Sequence, residues 1–88
     1  MKLDDLRKQI DEVNWQILKL LKKRFDIAKK IANAKNEIGF PIEDKRRESE
    51  MLSNLIRQGE DLKLSSTFIS RLFKFIINES KRIQKNNI

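Results

Sequence analysis

The sequence predicts an all-α fold of three helices, the first of them very long. Apolar residues recur at intervals of three and four through most of the chain. The 88 residues include only two Gly and one Pro, and 38% are charged, a composition that suits helices and gives strands, hairpins and flexible linkers few places to turn.

The first helix is expected over about residues 3–37. Its apolar positions run Leu3, Leu6, Ile10, Val13, Ile17, Leu20, Ile27, Ile31 and Ala34 with no Gly or Pro between them. Asp4 and Asp5 fall in the first turn, where the helix dipole favours negative charge, and Gly39 with Pro41 supplies a stop. At ~1.5 Å per residue this helix is roughly 50 Å long, whereas a compact chain of this size has a radius of gyration of about 12 Å. Such a helix extends beyond its own globule and needs a partner for its seam. The simplest partner is a second copy, giving an intertwined homodimeric bundle.

The second helix is expected over about 44–58. Asp44 is a good N-cap after the extended Gly39-Phe40-Pro41-Ile42 connection, and the helix runs through Met51, Leu52, Leu55 and Ile56 to stop at Gly59. Ser65 can cap a third helix over about 66–85, which carries Phe68, Ile69, Leu72, Phe73, Ile76, Ile77 and Ile83 on one side and frays into Lys85-Asn86-Asn87. The whole chain reads as one domain, 1–88, without internal repeats.

Composition also removes whole classes of chemistry. With no Cys and no His there are no disulfides, thiolate nucleophiles or cysteine metal sites, and the commonest metal ligand and general base is missing. The start, Met1-Lys2-Leu3-Asp4-Asp5, lacks a secretory hydrophobic segment, and no apolar run approaches the roughly 20 residues of a membrane span, so a cytoplasmic location is expected. A net charge of +7 attracts anions. Nucleic acid is the usual first candidate for a small basic helical protein, and the placement of the charges tests it.

Several polar residues stand where the pattern calls for apolar ones. In a heptad that puts Leu3, Ile10 and Ile17 at one seam position, the next occupants are Arg24 and then Ile31. A neighbouring line passes through Arg7, Asn14, Leu21, Ala28 and Lys35, so three cations border one apolar surface. Arg and Lys can snorkel to water. A guanidinium in mid-seam, however, calls for an anion, either a protein carboxylate or a ligand, because an unpaired buried charge is costly. In the third helix Ser80 and Gln84 continue the face of Ile76 with hydrogen-bonding groups, where a helix end turning polar is the plain alternative. Asp44-Lys45-Arg46-Arg47-Glu48 is by itself a solvated first turn, and Trp15, opposite the seam, is expected to pack on another helix.

Taken together, four segments carry a resemblance over essentially the full length: Leu6-Arg7-Lys8-Gln9-Ile10-Asp11; Leu20-Leu21-Lys22-Lys23-Arg24 with Ile31-Ala32-Asn33-Ala34-Lys35; Pro41-Ile42-Glu43-Asp44-Lys45-Arg46-Arg47-Glu48; and Ile76-Ile77-Asn78-Glu79-Ser80-Lys81-Arg82-Ile83-Gln84. The chain resembles the all-helical (AroQ-type) chorismate mutases. The resemblance implies an intertwined homodimer with two equivalent sites that converts chorismate to prephenate by a Claisen rearrangement, without a cofactor or metal. It also implies roles for named residues. Arg7 would reach from one protomer into the other's site and, with Arg24, clamp the substrate carboxylates. Lys35 and Gln84 would donate hydrogen bonds to the ether oxygen. Arg47 would be a further cation near a carboxylate, Asp44 and Glu48 would contact the ring hydroxyl, and Ser80 would contact a carboxylate.

A pericyclic reaction needs no nucleophile and no proton transfer, which suits a chain without His or Cys. Among other readings, an isochorismate pyruvate lyase would share the helices and several cations, although Glu48 as an acceptor for a ring hydroxyl favours the mutase. A nucleic-acid-binding module would show its cations as an exposed stripe, whereas here key cations lie in the seams. A purely structural coiled coil would not need Ser80 and Gln84 on an apolar face.

Overall fold

The computed structural model describes residues 2–86 and contains three helices, α1 (Leu3–Ile38), α2 (Lys45–Asp61) and α3 (Ser66–Asn86), with no strand among the described residues. The all-α expectation is met. Asn87, part of the expected polar tail, lies outside the described residues. Lys85 and Asn86 do not fray but continue α3.

Each helix begins and ends for a local reason. Asp4 and Asp5 occupy the first turn of α1, and Gly39 at φ 76° takes the left-handed position that closes it, with the Phe40 N–H donating to the Lys35 carbonyl at 2.8 Å. The Asp44 carboxylate caps α2 by accepting from the Arg47 N–H at 3.0 Å, and Ser65 Oγ caps α3 by accepting from the Phe68 N–H at 3.2 Å.

One helix end departs from expectation. α2 does not stop at Gly59 but runs on to Asp61, and Lys63 (φ 61°) adopts the left-handed conformation in the turn that follows. Gly59 serves another purpose there. It is buried, and a Cβ at this position would lie 3.0 Å from Ile69 Cγ1 on α3. The missing side chain lets α2 and α3 approach closely. Gly59→Leu is therefore expected to overpack this contact and cost about 1–3 kcal/mol, read as a lower urea midpoint with unchanged m-value.

α3 lies between the other two helices and packs against both. Among the described residues the buried ones are few, namely Ala28, Ala32, Gly59, Ile69 and Ile77, joined by Ser80 and Gln84, and no large side chain is fully enclosed. The apolar side of α3 is only partly covered within the chain, since Phe68 and Leu72 are exposed. The molecule measures 55 × 24 × 15 Å, and its radius of gyration of 16.1 Å exceeds the roughly 12 Å of a compact chain this long. α1 causes this elongation. The stripe Leu3, Leu6, Ile10, Val13, Ile17 and Leu20 is exposed along its N-terminal half, Leu20 at 65%. Trp15, expected to pack on another helix, is 56% exposed within the chain, and its ring instead carries the Lys19 ammonium, 5.7 Å from the centroid.

Candidate active site

Where the C-terminal half of α1, the first turns of α2 and the end of α3 converge, a cleft of about 410 Å³ opens, within the size range of small-molecule sites. Its floor is apolar, formed by Ile27, Ala28, Ile31 and Ile77, and its walls carry charge. Of the eight residues singled out from the sequence, Arg24, Lys35, Asp44, Arg47, Glu48, Ser80 and Gln84 line this one cleft. Arg7 does not. It is exposed on α1, seventeen residues before Arg24 and so about 25 Å from it along the helix.

Arg24 is half-buried. Its Nη1 donates to Ser80 Oγ and its Nη2 approaches Met51 Sδ at 3.6 Å. Desolvation lowers its pKa from the ordinary arginine value, although the group stays charged at neutral pH because arginine starts so high. Among the described residues no carboxylate pairs with it. A cation withdrawn from water without a counter-charge favours any anion that enters the cleft.

Ser80 and Gln84 belong to the cleft and not to a helix end turning polar, since they are only 8% and 7% exposed. The Ser80 hydroxyl donates to the Ile76 carbonyl at 3.0 Å while accepting from Arg24, which fixes the guanidinium. Gln84 Nε2 donates across to the Ala28 carbonyl on α1 at 3.2 Å, which orients its amide. An amide has two N–H groups, so a second donor remains for a ligand. Lys35 Nζ donates to the Ile42 carbonyl at 2.9 Å, so the connection between α1 and α2 folds back to hold the ammonium at the cleft. Two donors from different helices are thus held in place by backbone carbonyls.

Asp44 lines the cleft, but one of its oxygens is already engaged as the α2 cap. Glu48, one turn on, pairs with Lys81 of α3 at 3.2 Å. Lys81 also lines the cleft and was not singled out from the sequence. Its partner lies 33 residues away, so no local pattern announces it. Among the described residues there is no group of His, Cys, Asp and Glu that could hold a metal ion. No helix among them is long and apolar enough to cross a membrane.

Comparison with known proteins accords with this geometry. The family model "Chorismate mutase type II" matches residues 6–85. A chorismate mutase of Methanocaldococcus jannaschii is 33% identical over 84 residues, covering 96% of this chain and 85% of that protein. A bifunctional chorismate mutase/prephenate dehydratase of Buchnera aphidicola is 40% identical over 79 residues, covering 90% of this chain but only 20% of the longer protein. Among solved structures, a conserved hypothetical protein of Pyrococcus furiosus superposes with a TM-score of 0.72 at 38% identity, with 93% of each chain covered. With a family model spanning nearly every described residue and an archaeal relative matched across most of both chains, this chain belongs to the type II chorismate mutase family.

Proposed function

We propose that this protein is an isomerase that converts chorismate to prephenate within the cleft, in aromatic amino-acid biosynthesis and in the cytoplasm. The observation that carries the reading is Arg24: a half-buried cation, set by Ser80, facing a cleft and paired with no carboxylate among the described residues. Two further cations on the walls, Lys35 and Arg47, likewise have no carboxylate partner among them. Such a surface suits a small dianion.

The reaction breaks the ether C–O bond of the substrate as a new C–C bond forms, with no proton transferred. An enzyme can help in two ways: by holding the flexible dianion in the compact conformer that brings the reacting carbons together, and by stabilising the negative charge that develops on the ether oxygen. Arg24 serves the first task, because a guanidinium fork fixes both the position and the plane of a carboxylate. Lys35 and Gln84, already oriented by the Ile42 and Ala28 carbonyls, serve the second. Preorganised donors lose little when the transition state forms. Arg47 adds a further cation for the substrate carboxylates, Ser80 serves a carboxylate contact through the Arg24 guanidinium that it holds, and Asp44 and Glu48 accept from the ring hydroxyl.

The active form in this proposal is a homodimer. Two copies related by a two-fold axis would cover the apolar stripe on each α1 and carry Arg7 of one protomer to the other's cleft. The exposed N-terminal half of α1 supports this arrangement. The experiment is to follow loss of chorismate absorbance with purified protein, alongside light scattering for mass. Turnover by a dimer is expected. No turnover by folded protein would end the catalytic proposal, and turnover by a monomer would end the shared-site proposal.

A further inference from the structure

Lys81 stands apart from the other cations of the cleft. Its Nζ lies 3.2 Å from Glu48 Oε1 on α2 and 3.6 Å from Glu43 Oε1 on the α1–α2 connection. The Lys81 and Glu48 side chains are largely covered, 21% and 26% exposed, and both face the cleft. Arg24, Lys35 and Arg47 carry charges uncommitted to any carboxylate among the described residues. Lys81 is already spent on two. The hydrogen bond that Lys81 donates to Glu48 outweighs the cost of burial and holds the Lys81 ammonium above the usual lysine range, so its charge is secure.

A carboxylate on the wall of a site for a dianion poses an electrostatic problem. Glu48 can accept from a substrate hydroxyl, but its negative charge, on a side chain only 26% exposed, also repels the substrate carboxylates across the cleft. An adjacent ammonium removes the repulsion and leaves the acceptor lone pairs in place. Glu43 gives the same ammonium a second anchor, so α3, α2 and the connection that carries Ile42 meet at one point.

We propose that Lys81 is a positioning residue of this site: it fixes the Glu48 carboxylate as a hydroxyl acceptor and cancels the repulsion of that carboxylate on the dianionic substrate. The inference rests on the mutase reading above and adds a component to it. Its signature is in substrate binding, because Lys81 acts through Glu48 and not on the breaking bond.

The test compares wild type, Lys81→Met, Lys81→Arg and the double variant Lys81→Met/Glu48→Gln, with helicity and thermal midpoint measured for each. In Lys81→Met, KM is expected to rise about tenfold, the effect of one unit charge acting at roughly 10 Å through an effective dielectric of about 20, while kcat falls by less than about threefold. Lys81→Arg should recover most of the lost affinity. In the double variant KM should fall back below that of Lys81→Met, because the uncompensated carboxylate has gone while an amide oxygen can still accept from the hydroxyl. A merely structural lysine would not be rescued by removing Glu48's charge. The inference is overturned if Lys81→Met binds as wild type does, or if the two substitutions multiply each other's losses. Wild type turned over in the same assay separates the two claims: an inactive wild type sinks the mutase reading, whereas an active wild type with an unaffected Lys81→Met sinks this inference alone.

Discussion

Lys35→Ala is expected to lower kcat about a hundred- to a thousandfold, the loss seen when one preorganised donor to a developing oxyanion is removed, while KM rises by less than about tenfold. The asymmetry follows from when the interaction is made. Negative charge on the ether oxygen is small in bound chorismate and grows as the C–O bond breaks, so an ammonium aimed at that atom is felt chiefly in the transition state. Lys35 suits this role because the Ile42 carbonyl already orients it and no carboxylate among the described residues neutralises it. Steady-state kinetics by chorismate absorbance would check this. Parallel losses in kcat and KM would place Lys35 in general substrate binding and remove it from the chemical step.

The second large effect is on pH dependence. Gln84 is buried and donates one N–H to the Ala28 carbonyl, which leaves the other for the ether oxygen; a carboxyl group introduced by Gln84→Glu has a single proton, and can donate it to the ether oxygen only when protonated. Burial disfavours the charged form and raises the carboxyl pKa above its ordinary value of about 4.3, partly opposed by the nearby cations. As pH rises through that raised value the proton is lost, the donor disappears, and a new negative charge faces a dianion. Activity of Gln84→Glu should therefore be near wild type at about pH 5 and fall roughly a hundredfold relative to wild type by about pH 7.5. A kcat/KM profile that runs parallel to that of wild type across this range would remove Gln84 from the ether oxygen.

Much of the architecture was legible because it depends on short-range signals. The three-and-four spacing gave α1 and α3, and Gly39, Asp44 and Ser65 act at helix ends as their types suggest. The cleft was legible where polar residues broke an apolar pattern: Arg24 interrupts a heptad, and Ser80 and Gln84 interrupt a buried face. Gly59 misled because glycine can mean either a left-handed turn or a close approach between backbones. Only the position of Ile69 on another helix decides which. With Gly59 committed to packing, the left-handed turn fell to Lys63, a residue without the usual signature. Lys81 was illegible for the same kind of reason, since its role is defined by carboxylates on other segments.

Arg7 and Arg24 share one continuous helix yet stand about 25 Å apart, too far to serve a common cleft. In the two-fold assembly proposed above, each polypeptide would then furnish parts to two different catalytic centres. Subunits crippled at opposite ends of α1, one lacking the Arg7 guanidinium and the other the Lys35 ammonium, could complement each other when mixed. A hybrid of the two would gather both lesions into one centre and leave its other centre whole.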